Sequence, residues 1–170
     1  MTDDTILLHG PSEMYEVRKE GRANGTITPG RVLDYGGNNT DGPTTERNFT
    51  EHDTDAVRPR HIALEQSYAG RGIDDEYSSG DALVYAILRA GMEVQAFVFD
   101  GSNAAGSGTD LSANANISVG DKLVGYSGGG ETGCLRAFDG DNEGAVVAEA
   151  TEAVNNSAEA SPARINVEVV

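Results

Sequence analysis

Gly and Asp punctuate this chain at short intervals, and the segments between them alternate apolar with polar residues. That pattern constrains the fold more than any other feature, because alternation with period two puts one set of side chains on each face of a strand, and Gly-Asp pairs supply the turns. Strands are expected at Thr5–His9, Met14–Arg18, His61–Glu65, Asp81–Arg89, Glu93–Phe99, Asp121–Tyr126, Leu135–Phe138, Ala145–Ala150 and Arg164–Val170, with Thr26–Leu33 interrupted at Pro29-Gly30. Only Gly144–Val154 has the Ala, Glu and Val content of a helix, and its Gly start and Val146-Val147 pair favour a strand. The segment Gly36–Arg60 is polar and rich in Gly, Pro and Asp, and reads as a long loop. The expected fold is all-β: a small β-barrel of about eight short strands over residues 57–170, preceded by an extended N-terminal arm and the polar loop over residues 1–56.

The apolar residues available for a core are small. Leu, Ile, Val and Phe number 34 of 170 residues, and Ala and Gly supply much of the remainder. Such a core is thin, and it predicts order gained from a partner. Glu93–Phe99 carries apolar residues on both faces, Val94, Ala96 and Val98 on one and Phe97 and Phe99 on the other, so this strand is expected to lie buried on both sides or in an interface. Together these features predict a homotrimer, with Val94, Phe97, Phe99 and Tyr77 as candidate interface residues.

Charge excludes several partners. Asp and Glu number 28 against 12 Lys and Arg, ten of them Arg, for a net charge of −16. A chain this acidic repels nucleic acid and anionic membranes. It has instead the composition of a protein soluble in molar salt, where a Debye length of about 3 Å lets dense surface carboxylates coexist. Met1-Thr2-Asp3-Asp4 lacks the basic flank and apolar stretch of a signal peptide, and the longest apolar run, Ala82–Leu88, is too short to span a bilayer, so synthesis and assembly in the cytoplasm are expected.

No catalytic, cofactor or metal constellation stands out. Asp139-Gly140-Asp141-Asn142-Glu143-Gly144 opens like a calcium loop, but Ala150 stands where the bidentate Glu is required, and it reads as a turn. His9, His52 and His61 lack ligand spacing, Glu51-His52-Asp53 is expected to be solvated, and Cys134 has no neighbouring His or Lys and reads as a small buried residue. Five Asn-x-Ser/Thr sequons, at Asn24, Asn38, Asn48, Asn116 and Asn155, read as turn residues. Gly72-Ile73-Asp74-Asp75-Glu76-Tyr77 followed by Gly80 resembles a motif of trimeric dUTPases, which implies Asp74 activating water and Tyr77 stacking on uracil. The basic clamp for a triphosphate is missing, so this stands as an alternative.

A second resemblance runs through residues 16–170. Arg18-Lys19-Glu20-Gly21, Ile27-Thr28-Pro29-Gly30, His61 to Glu65, Gly72 to Asp81, Gly91 to Ala96, Gly120 to Leu123, Val147 to Ser157 and Arg164 to Val169 follow, in order, the pattern of the head decoration (capsid cement) proteins of tailed viruses. The resemblance implies a structural protein on the outer surface of a virion, binding the major capsid protein and itself as trimers at three-fold and quasi-three-fold positions. With the salt-adapted composition, it implies a tailed virus of halophilic archaea. Arg47, Arg58 and Arg60 are the candidate capsid contacts, because Arg pairs bidentately with carboxylates and these three fall in the polar segment. A turret or tail component of the same virion would have the same composition.

Overall fold

The computed structural model describes residues 5–9, 18–39, 46–53, 58–99, 112–126, 131–138, 140 and 145–170. Thirteen strands lie among them. They are β1 (Leu7–His9), β2 (Arg18–Ala23), β3 (Val32–Asn39), β4 (Glu46–Glu51), β5 (His61–Ala63), β6 (Ala82–Ile87), β7 (Glu93–Val98), β8 (Asn116–Ile117), β9 (Lys122–Tyr126), β10 (Cys134–Ala137), β11 (Ala148–Ala150), β12 (Val154–Asn155) and β13 (Ala163–Val169). The all-β expectation holds, and Gly144–Val154 contains strand rather than helix. Much of the proposed calcium-like loop lies outside the described residues.

Five strands form a closed barrel in the order β2-β4-β3-β5-β6, with β2 parallel to β4 and the other neighbours antiparallel. A six-stranded sheet, β1-β7-β10-β9-β11-β13, lies beside it and rolls up through an additional β7–β13 pairing, whose register runs from Ala163↔Val98 to Glu168↔Glu93. The short strands β8 and β12 pair with each other.

Three of the five strands of this barrel come from residues 18–51, within the stretch read as arm and loop, while β7, β10, β9, β11 and β13 close a second ring of pairings within residues 93–169. Strand β4 was unreadable because its sequence, Glu-Arg-Asn-Phe-Thr-Glu, has one apolar residue. That residue, Phe49, is fully buried inside the barrel. The parts of Gly36–Arg60 at residues 40–45 and 54–57 lie outside the described residues.

Strands β3, β5 and β6 form a wall shared by two cores. Leu33, Ala63, Leu83 and Tyr85 face the barrel interior with Ala23, Ile27, Phe49 and Tyr77. Their sequence neighbours Val32, Ile62, Val84 and Ala86 pack on the other side against Val94, Ala96, Val98, Leu123, Leu135, Ile165 and Val167 of the rolled sheet. Each wall residue alternates between the two cores, which is why Leu83–Ala86 is continuously apolar in sequence. The same wall also makes a limited stock of Leu, Ile and Val serve two cores at once.

Candidate interaction surface

The three arginines expected to contact a capsid are all exposed, and two of them, Arg58 and Arg60, line one groove. Arg58 and Arg60 flank Pro59, which is buried. The Arg60 carbonyl accepts the Leu88 N–H at 2.8 Å, tying this segment alongside the end of β6. Arg58 Nη2 donates to the Val170 carbonyl. Between them runs a groove of about 440 Å³ with Arg58, Pro59 and Arg60 on one wall and Ile87, Leu88, Ala90 and Val170 on the other.

His61 connects this groove to Arg47. Its ring lies 5.1 Å from Phe49 and 5.4 Å from Tyr85, both edge-on, at the barrel wall. Burial holds the imidazole below its ordinary pKa of 6.5, and the positive charges of Arg47 and Arg60 push it further down, with Asp34 opposing. Arg47 and Arg60 therefore act on one point from two different strand regions. Neither forms an ion pair with a described residue, in contrast to Arg18, Arg22, Arg31, Arg71 and Arg164, which face Glu65, Glu46, Glu51, Asp81 and Asp74.

The trimer-interface candidates are placed otherwise than expected. Val94, Phe99 and Tyr77 are each at most 1% exposed within the single chain, so none can present itself to a neighbour. Val94 packs in the core between barrel and sheet. Phe99 stacks at 4.4 Å on Tyr126 in a third small core with Ala115 and Cys134. Tyr77 lies in the barrel, where its hydroxyl donates to the Leu64 carbonyl at 2.7 Å and burial pushes its pKa up to about 12. Phe97, partly buried, is held between two guanidiniums, Arg31 at 4.6 Å and Arg164 at 4.5 Å from its centroid. Both faces of β7 are thus satisfied inside the chain.

The Phe97 sandwich is part of a hub that the sequence reading missed. Arg164 donates to Asp74 Oδ1 at 3.0 Å and to the carbonyls of Pro29 and Ile73 at 3.1 and 2.8 Å. Arg31 donates to the Thr132 carbonyl at 2.8 Å and to Cys134 Sγ at 2.6 Å. Gly30 receives an N–H from Phe97 and gives its own to Ala63, so the backbone links the two modules at the same place. The sequence cue was Arg164 at the head of the apolar alternation Ile165, Val167 and Val169.

Asp74 and Tyr77, aligned with a dUTPase motif, do not form a site. Asp74 is 87% exposed and paired to Arg164, while Tyr77 is sealed in the barrel and has no face free for a base. His52 is not solvated as expected: it is fully buried, with Nδ1 2.8 Å from Asp34 Oδ1. A second cleft, of about 460 Å³, is lined by Arg18, Lys19, Glu20, Glu65, Ser67, Tyr68 and Val84. The buried carboxylate of Glu65 is occupied there by Thr5 Oγ1 at 2.8 Å and the Ile6 N–H at 3.0 Å, fastening the residues before β1 to the barrel.

No protein-family model and no curated protein matches the sequence. Among solved structures, the fold is similar to that described as the head fiber gp8.5 N base of bacteriophage phi29, with a TM-score of 0.53 at 14% identity, over 91% of this chain and 93% of that one.

Proposed function

We propose that this chain is a structural protein of a tailed-virus head, seated on the outer surface of the capsid and holding neighbouring major capsid subunits together. The observation that carries this reading is the fold likeness to a phage head fiber base, which extends over nearly the whole of both chains. The ordered series of decoration-protein motifs from Arg18 to Val169 supports it independently. The excess of 16 negative charges suits a surface facing away from packaged DNA and the brine of a halophilic archaeal host. On this reading the chain assembles in the host cytoplasm as trimers at three-fold and quasi-three-fold positions, takes no cofactor and catalyses no reaction.

The likeness to a fiber base favours a second placement, as the foot of a projection such as a turret rather than a cement protein lying flat. Single-particle reconstruction of the virion tests both. Density for this chain bridging capsid subunits at the three-fold positions is the expected result. Density confined to projections or tail would select the second reading, and absence from the particle would overturn the structural role.

A further inference from the structure

We infer that the groove between Arg58-Pro59-Arg60 and Ile87-Leu88-Ala90 is a docking site for an extended acidic segment of a partner protein, one that alternates carboxylate with apolar side chains. The inference rests on the proposed capsid role for the identity of the partner, but not for the chemistry of the site.

Charge distribution is the first argument. Nine of the twelve basic residues lie between residues 18 and 89, where there are twelve acids, whereas residues 90–170 hold three bases against twelve acids. Basic residues are therefore concentrated on the barrel, where Arg47 and Arg60 form no ion pair with a described carboxylate and Arg58 donates to the main-chain oxygen of Val170 rather than to a side-chain carboxylate. In a chain with carboxylates to spare, exposed guanidiniums left without them are available to a carboxylate from elsewhere.

Spacing is the second argument. Arg58 and Arg60, both exposed, lie two residues apart on either side of the buried Pro59. An extended peptide repeats its side chains on one face every two residues, about 7 Å apart, so carboxylates at positions i and i+2 can reach Arg60 and, in exchange for its Val170 contact, Arg58. Facing them across the groove, Ile87, Leu88, Ala90 and Val170 offer an apolar wall. A peptide with apolar residues at its intervening positions buries them there while its acids meet the arginines. Arg47 and Arg60 both act on His61, so the positive field reaches beyond the groove to Arg47.

The test uses the full chain and a short fluorescein-labelled peptide alternating Glu and Leu. Comparison probes replace its Glu by Lys or its Leu by Ser, and a short DNA duplex is the last. Anisotropy titrations are run at the lowest salt that keeps the circular dichroism spectrum folded. The Glu-Leu peptide is expected to bind, the Lys peptide not at all and the Ser peptide more weakly. Arg58→Gln and Arg60→Gln are each expected to weaken binding about tenfold with the fold unchanged, the loss of one charge-assisted hydrogen-bonding partner. The His61 Cε1 proton resonance should titrate at higher pH in the bound state, since bound carboxylates neutralise Arg60 and Arg47.

Failure of the folded chain to bind the Glu-Leu peptide overturns the inference. So do equal binding by the arginine variants, a preference for DNA, or self-association abolished by Arg60→Gln, which would assign the groove to a second copy. Virion incorporation separates this from the proposed function. Peptide binding by a chain absent from virions would remove the capsid role and leave the groove standing, whereas a capsid-borne chain without peptide binding would do the reverse.

Discussion

Phe49 occupies the space that a side chain at Gly21 would need: a β-carbon there would lie 2.9 Å from Cε2 of the ring and 2.8 Å from the Arg47 carbonyl oxygen. Gly21 is on β2 and Phe49 on β4, the two strands that run parallel and close the barrel. The narrow barrel accommodates the Phe49 ring at this level because its neighbour on β2 has no side chain. Gly21→Ala should therefore push against backbone as well as ring, and cost about 1–3 kcal/mol. Urea unfolding followed by circular dichroism measures it, and an unchanged midpoint would show that the barrel has room to relax.

The hub joining the barrel to the rolled sheet should distinguish Arg from Lys. Arg164→Lys keeps the charge but cannot reach Asp74, two carbonyls and the face of Phe97 together, and should destabilise the chain by about 2–4 kcal/mol. Asp74→Asn removes only the exposed member of the hub, and should cost less than about 1 kcal/mol. Neither the parent chain nor Asp74→Asn is expected to release pyrophosphate from dUTP with Mg²⁺. Hydrolysis abolished by this variant would restore the nucleotide-hydrolase alternative.

Acidification should destabilise the barrel through His61. Its folded pKa lies below 6.5 owing to burial, then Arg47 and Arg60, with Asp34 opposing and the Tyr85 ring packed against it. The unfolded chain then binds a proton more readily than the folded one, so stability is lost as pH falls from about 6.5 through the lower folded value. His61→Phe, which keeps an aromatic ring between Phe49 and Tyr85, should flatten the dependence of the unfolding midpoint on pH in that window. An equally steep dependence in the variant would assign the effect to groups other than His61.

Legibility in the sequence followed how far each strand advertised a buried face. β6, β7, β9, β10 and β13 carry several apolar residues each and fall close to where alternation put them. β4 has only Phe49, and its parallel pairing with β2 joins segments with β3 between them, which no local pattern encodes. The two-faced character of β7 was legible, but its explanation was not. Apolar residues on both faces fit an interface and an internal sandwich equally well, and only the positions of Arg31 and Arg164 on either side of Phe97 decide between them. Likewise Arg58 and Arg60 were visible as bases in a polar stretch, whereas the apolar wall opposite comes from Ile87, Leu88, Ala90 and Val170, distant in sequence.

Removing salt should unfold this protein and, on the proposed trimeric reading, dissociate it first. Sixteen net negative charges reside on a chain whose compact radius of gyration is about 15 Å. At about 0.01 M salt the Debye length is about 30 Å, so every carboxylate feels every other, and in the proposed trimer the three chains would feel one another's excess as well. In molar salt that length falls to about 3 Å, and the apolar contacts of the two cores are strengthened by the same ions that screen the charges when those ions are kosmotropic. A domain of this size is stable by only about 5–15 kcal/mol, so a few kcal/mol of uncompensated repulsion is enough to shift the balance. The sheet half, with twelve acids and three bases over residues 90–170, should loosen before the barrel, where bases and acids nearly balance. A titration from molar to millimolar salt, following far-UV circular dichroism, light scattering and amide hydrogen exchange, should show mass falling first, then exchange rising in β9, β11 and β13, and strand signal lost last. A chain that keeps its mass and its protection at the low end would refute the salt-adapted reading of its composition.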